Sequence, residues 1–168
     1  MGKIFSGNNL ISVLLPLLLI MMFIVRSIPL LIIGLIVNLL PIGIILGQMA
    51  WLGLKINMAT VLIGGITMGI AVDDTIHFLW HYRTEIKKGK TFYEALKSTY
   101  HHTGTAIFMT AILLSFGFLV MAASDFVPTA DFGKLTSLTI AIAFVTEIFL
   151  MPALLYALYR IKNRSKLK

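Results

Sequence analysis

Two adjacent carboxylates lie within a long apolar stretch of this chain. The pair, Asp73 and Asp74, follows a run from Asn57 to Val72 that contains no charged residue. At about 1.5 Å of rise per residue in a helix, Asp73 lies roughly 24 Å from the start of that run, inside a hydrocarbon layer of about 30 Å. Ionisable groups at that depth in a membrane are costly, so they indicate a functional site.

Helical spacing places further residues on the same side as the first carboxylate. Gly65, Gly69, Asp73 and His77 recur every four residues and form one ridge along a helix. The glycines permit a close helix neighbour, as in GxxxG packing, so we expect this ridge to face the bundle interior. Asp73 and Asp74, with His77 one turn away, form a candidate proton relay. The alternative is that the carboxylates only hold helices together and that His77 is a satisfied interior histidine.

Glu147 is another acid within an apolar stretch, about two turns before its basic end. It either belongs to the proton path or extends toward a Lys or Arg at that end. Hydroxyl groups could also hydrogen-bond the carboxylates across helices, although most such groups bond back to their own helix. The candidates within the apolar stretches are Thr67, Thr110, Ser115, Thr139 and Thr146.

Composition assigns the chain to the membrane proteins. Hydrophobic residues make up 58% of the chain and charged residues only 12%, which is outside the range of soluble domains. The absence of Cys excludes disulfides and thiol nucleophiles. The net charge of +7 comes from basic residues that cluster between the apolar stretches and at the C-terminal tail. This distribution favours a lipid bilayer as partner over nucleic acid. Since no nucleophile constellation, metal cluster or phosphate loop is visible, we expect no enzyme, no metal and no cofactor.

The apolar stretches predict an all-α, polytopic membrane helix bundle with five transmembrane helices. We expect these spans at about 10–25, 29–51, 57–82, 104–123 and 132–156. Thr91 and Glu94 have the spacing of a capping box, which predicts a short amphipathic cytoplasmic helix over about 91–102. The transmembrane domain then covers 10–158, between a short extracytoplasmic N-terminus at 1–9 and a basic cytoplasmic tail at 159–168.

Basic residues indicate how the bundle is oriented. Eleven of the fourteen Lys and Arg residues fall on one side of the five predicted spans, and only Lys3, Lys55 and Lys134 fall on the other. The positive-inside rule therefore predicts a multi-pass protein of the cell (inner, cytoplasmic) membrane with its N-terminus outside and its tail in the cytoplasm.

Several motifs together resemble one protein family. These are Gly69-x-x-x-Asp73-Asp74, Ile76-His77-Phe78, Tyr82-Arg83, the segment from Glu94 to Gly104, and Met151-Pro152-Ala153-Leu154-Leu155. From about residue 10 to 155 the chain resembles the membrane half of the RND superfamily, specifically its MMPL and hopanoid-exporter-like branch, which is related to Patched and to sterol-sensing domains. The resemblance covers helices two to six of one such half, without the porter domain.

The resemblance implies an exporter of lipids or other hydrophobic molecules that is driven by the proton-motive force, with protons as the coupling ion. Asp73 and Asp74 match the positions of its proton-relay carboxylates. Such a chain is expected to be incomplete alone, so the resemblance implies a partner chain that supplies the missing helices and porter domain, or a homo-oligomer. The alternative is a sterol-sensing-like lipid-binding or regulatory module of five helices, and a third hypothesis is a non-functional remnant.

Overall fold

A computed structural model describes residues 19, 21–23, 25–51 and 58–164 of the chain. These residues are almost entirely helical, and none of them lies in a strand. We number the helices in chain order as α1 (Ile28–Trp51), α2 (Met58–Lys87), α3 (Phe92–Thr99), α4 (Thr105–Val120) and α5 (Val127–Arg164). The predicted all-α membrane helix bundle is confirmed.

Four segments of the described chain are long and apolar enough to cross a membrane. They are Ile28–Ala50, Leu62–Lys87, Phe92–Ala123 and Val127–Arg164. The first span predicted from the sequence, at about 10–25, falls mostly outside the described residues. Large apolar side chains cover the outside of the bundle, as expected where helices meet lipid tails; Leu113, Phe116 and Phe149 are examples.

The long helix α5 organises the bundle because it packs against α1, α2 and α4. It lies very close to α4 at Gly133, where an added Cβ would lie 2.6 Å from the Phe118 carbonyl oxygen. A similar approach joins α1 to α2, since a Cβ on Gly34 would lie 2.9 Å from the Thr75 methyl group. The absence of a side chain at these two glycines therefore permits the close helix spacing, which at Gly34 lies next to the buried residue Thr75.

The short helix α3 is fixed at the basic end of the bundle. Its capping box is confirmed, because Thr91 accepts a hydrogen bond from the Glu94 backbone and the Glu94 carboxylate accepts one from the Thr91 backbone. Phe92 is buried and stacks on Tyr159 of α5, with ring centroids 4.8 Å apart. Glu85 of α2 accepts hydrogen bonds from Lys88, Lys90 and Ser98. These contacts attach α3 to both α2 and α5.

The chain passes from α3 into α4 without leaving a helical conformation. Tyr100–Gly104 forms one turn of π-helix between them, so the helical conformation does not end near residue 102 as predicted. The π-helical turn leaves little room for a side chain at Gly104, where a Cβ would lie 3.1 Å from the Tyr100 ring. π-turns of this kind are frequent at functional sites, and this one places Tyr100 against α5.

Candidate functional site

The two adjacent carboxylates of α2 point into different surroundings. The Asp73 side chain is 73% exposed, whereas Asp74 is half-buried and lines a small cavity inside the bundle. Consecutive residues on a helix differ in direction by about 100°, so neighbouring residues can lie on different faces of the same helix. The predicted pair is therefore one outward-facing group and one inward-facing group.

The ridge of Gly65, Gly69, Asp73 and His77 faces out of the described bundle, which corrects the expectation that it faces the interior. All four residues are exposed. No described atom lies within 4 Å of a Cβ built on either glycine. Asp73 and His77 do contact each other, with 3.6 Å between Oδ1 and Nε2.

The face of α2 that enters the bundle is a different row of small residues. Thr67, Ala71 and Thr75 also recur every four positions, and they are 2%, 7% and 0% exposed. Both rows permit close packing, so spacing alone does not decide which of them faces the bundle. The neighbouring helices of the described chain occupy the threonine row, which leaves the glycine row open.

Glu147 of α5 belongs to a buried polar cluster in which Thr75 contacts both other members. Its Oε1 lies 3.2 Å from the Thr75 hydroxyl, which lies 3.0 Å from Oδ1 of Asn38 on α1. The exposed fractions of Glu147, Thr75 and Asn38 are 4%, 0% and 3%. Glu147 thus contacts α2 inside the bundle, which is against the alternative that it extends toward a Lys or Arg at the basic end.

Asp74 and Glu147 both line a small cavity beside this cluster. The part of the cavity that the centre of a water molecule can occupy has a volume of about 10 Å³, roughly what a single ordered water needs. The lining residues come from α2, α4 and α5: Thr67, Ile70, Ala71, Asp74, Ala111, Ile140, Ala143, Phe144 and Glu147. Two carboxyl groups from different helices therefore share one small, mostly apolar chamber.

A proline one turn beyond Glu147 interrupts the backbone hydrogen bonds of α5. Pro152 has no N–H to donate to the carbonyl four residues earlier, that of Ile148. The Tyr100 hydroxyl donates to this carbonyl oxygen instead, at 2.5 Å. The Tyr100 ring also meets Phe78 edge to face, with centroids 5.3 Å apart. The π-turn thus supports the part of α5 that holds Glu147.

Sequence reasoning named the acids of the site but missed three of their polar neighbours. Of the hydroxyl candidates, Thr110, Thr139 and Thr146 bond back to their own helices, and Thr67 lines the cavity. Thr75, Asn38 and Tyr100 were not assigned to the site. Thr75 had a usable signal, because it lies four residues beyond Ala71 in the row that starts at Thr67.

Comparison with known proteins places the chain in a family. The family model described as the MMPL family matches residues 8–167. A protein of Methanocaldococcus jannaschii named as a membrane protein is 32% identical over 109 residues, covering 65% of this chain and 28% of that protein. The hopanoid transporter HpnN of Rhodopseudomonas palustris is 27% identical over 101 residues, covering 60% of this chain and 12% of the transporter.

These alignments span less than a third of either curated relative. No solved structure shows significant similarity to the chain. The match to the family model extends over nearly the whole sequence and includes every helix described above. This multi-pass membrane helix bundle, with its paired carboxylates on α2, therefore belongs to the MMPL family.

Proposed function

We propose that this chain is the membrane portion of an RND/MMPL-like exporter of lipids or other hydrophobic molecules, driven by the proton-motive force. The observation that carries the proposal is the division of the α2 carboxylates between two environments. Asp73 lies on an open face beside His77, and Asp74 lies in the cavity beside Glu147. Membership of the MMPL family and similarity to a hopanoid transporter support transport over catalysis.

Protons are the coupling ion in this proposal. An ionised carboxylate inside a membrane is costly, and binding a proton removes that cost. Protonation of Asp73 or Asp74 therefore changes which arrangement of α2 against its neighbours has the lower free energy. Repeated loading and release of the proton would move α2 relative to α5 and so drive the export cycle.

The exposed ridge of α2 is the surface that a partner would cover. Asp73 and His77 are costly to expose to lipid, whereas Gly65 and Gly69 allow another helix to come close. We propose that the missing helices of the exporter pack here, supplied by a partner chain that also carries a porter domain, or by a second copy of this chain. In this proposal Gly65 and Gly69 provide the close helix packing at this outer interface.

The proposed location is the cell membrane, with the basic end of the bundle in the cytoplasm. Arg83 and Lys87 at the end of α2, and Lys90 just after it, lie at the same end of the bundle as Arg160 and Arg164 of α5. This is the distribution that the positive-inside rule assigns to the cytoplasm. Protons driven inward would then reach Asp73 and Asp74 from the opposite end and leave toward His77 and the basic end.

The test is transport by the native assembly in membrane vesicles. A pH-sensitive dye reports proton flux, and a radiolabelled hopanoid reports export. We expect Asp73→Asn to abolish both, because an amide cannot bind and release the proton. The matched control is Asp125→Asn, the same change at an exposed turn outside the candidate spans, which should leave both rates unchanged. Hopanoid export at the wild-type rate by Asp73→Asn would overturn the proposal.

The partner surface has its own test. Gly69→Leu places a large side chain on the open ridge and should reduce the mass of the complex extracted gently from membranes. Gly43→Leu on α1 is the control, since Gly43 is also exposed with no described atom near its Cβ position. An unchanged complex mass for Gly69→Leu would show that the ridge is not the interface.

The alternative function has a separate outcome. Saturable hopanoid binding without transport would indicate a lipid-binding module.

A further inference from the structure

The Thr75 hydroxyl has one hydrogen but contacts two oxygen acceptors. With Glu147 ionised, Thr75 can donate to its carboxylate or to Oδ1 of Asn38, but not to both. One oxygen pair, at 3.2 or 3.0 Å, would then lack a hydrogen between its atoms. With a proton on Glu147, the carboxyl group donates to Thr75 and Thr75 donates to Asn38. The observed arrangement of atoms fits the protonated acid.

The same three groups can also accommodate the ionised acid. Rotation of the Asn38 amide by half a turn exchanges its oxygen and nitrogen, so that Nδ2 donates to Thr75 and Thr75 donates to Glu147. In the described part of the chain Nδ2 of Asn38 is buried without a hydrogen-bond partner, so this rotation would give it one. The hydrogen bonds therefore have one complete arrangement for each protonation state of Glu147.

The adjoining cavity offers a route for the proton. Thr67 is 2% exposed and lines the cavity, and its hydroxyl has no partner among the described residues. A water molecule in the cavity would find three polar neighbours there, the Thr67 hydroxyl and the carboxyl groups of Asp74 and Glu147. Buried waters typically make about three hydrogen bonds, so the chamber suits one water in size and in partners.

We infer that Glu147 is a second proton-binding site, which exchanges a proton with Asp74 through a water molecule in this cavity and sets the direction of the Thr75 and Asn38 hydrogen bonds. The inference rests on the proposed proton coupling and adds α5 and α1 to it. In the exchange, the Asp74 O–H bond breaks as the water accepts its proton. The water gives another proton to the Glu147 carboxylate, so charge and atoms balance.

The surroundings of Glu147 leave Asp74 as its main electrostatic partner. α1 and α4 contain no titratable residue. From α2 the facing acid is Asp74, and from the π-turn Tyr100 contacts the neighbouring Ile148 carbonyl. On α5 itself the nearest Lys and Arg along the chain, Lys134 and Arg160, are each 13 residues from Glu147, about 20 Å along the helix. The proton on Glu147 should therefore depend on the charge of Asp74.

Infrared spectroscopy of the full chain in lipid vesicles tests this inference. The stretching band of protonated carboxyl groups is followed as pH is raised. We expect one band to disappear in Glu147→Gln and to persist in Asp73→Asn. Asp74→Asn should change the pH at which this band is lost by about one unit, as for strongly interacting acids. This is a tenfold change in proton concentration. Thr75→Val should shift its frequency and Thr75→Ser should restore it.

A cavity variant tests the water. Ala111→Val fills space in the cavity without changing either acid, so we expect proton exchange between Asp74 and Glu147 to slow, seen as slower loss of the Glu147 band after a rapid rise in pH. An unchanged rate of loss would overturn the water-mediated exchange. A spectrum in which Glu147→Gln removes no band, or a Glu147 band that is insensitive to pH, would overturn the second proton site.

The same spectra separate this inference from the proposed function. A Glu147 band that responds to pH and to Asp74, in a protein that moves neither protons nor hopanoid, would leave the inference standing and reject export. Proton-coupled export without such a band would reject the inference and leave the proposed function standing.

Discussion

The hydrogen bond from Tyr100 to the Ile148 carbonyl should contribute to the free energy of unfolding, and Tyr100→Phe measures this contribution. Tyr100→Phe removes the hydroxyl but keeps the ring, and with it the edge-to-face contact to Phe78 at 5.3 Å. The Ile148 carbonyl then loses this donor, and Pro152 has no N–H to replace it. Losing one hydrogen bond costs about 1 kcal/mol, and leaving a buried acceptor unpaired raises this toward about 3 kcal/mol. Interhelical bonds in membranes average about 0.6 kcal/mol, so we expect a loss of about 1 kcal/mol.

A double-mutant cycle with Pro152→Ala identifies the cause of this loss. Alanine restores an N–H at position 152, which can donate to the Ile148 carbonyl within the helix. In that background Tyr100→Phe should cost only a few tenths of a kcal/mol, giving a coupling energy of about 1 kcal/mol. Unfolding in mixed detergent micelles, followed by circular dichroism, measures all four proteins. Equal costs of Tyr100→Phe in both backgrounds would refute the reasoning. Tyr93→Phe, at a side chain 68% exposed, is the control for the loss of a hydroxyl.

Further predictions concern helix spacing and capping. Gly133→Ala puts a methyl group 2.6 Å from a backbone oxygen of α4, so the helices must separate and stability should fall by about 1–3 kcal/mol in the same unfolding assay. Gly43→Ala meets no described atom within 4 Å and should stabilise by about 0.5–1 kcal/mol through helix propensity; an equal loss in both would show that the close contact is not the cause. Thr91→Ala removes the capping hydroxyl of α3 and should cost about 1 kcal/mol, seen as faster amide hydrogen exchange in the first turn of α3, whereas unchanged exchange there would contradict the role of the cap.

The sequence was sufficient for the class of the fold and for the acids of the site. Apolar stretches of spanning length predicted the membrane helices, and the Thr91 and Glu94 spacing predicted the cap of α3. Both signals are local, since they depend on residues that are neighbours along one helix. Asp73, Asp74 and Glu147 were recognisable because carboxylates are rare within apolar stretches.

The direction in which α2 faces could not be predicted from its residues. In a membrane the buried and lipid-facing sides of a helix are both apolar, so hydrophobic periodicity does not separate them. Small residues mark packing faces, but α2 carries one small row through Gly65 and Gly69 and another through Thr67 and Ala71. The structure shows that the second row meets the described helices, which separates Asp73 from Asp74.

The remaining partners depend on contacts between distant parts of the chain. Asn38 lies 37 residues from Thr75, and Tyr100 lies 48 residues from Ile148. Pro152 removes the helical donor of the Ile148 carbonyl, but only the packing of the π-turn against α5 identifies the hydroxyl that donates to it. Such pairings require the three-dimensional arrangement of helices, which single-helix patterns do not contain.

The most direct test of the central claim is hopanoid movement in vesicles that contain the native assembly, measured under an imposed pH gradient before and after addition of a proton ionophore. Proton-coupled export predicts that movement stops when the ionophore collapses the gradient, and that it resumes when the ionophore is removed and the gradient is restored. Hopanoid movement that continues at the same rate without a proton gradient would contradict the account.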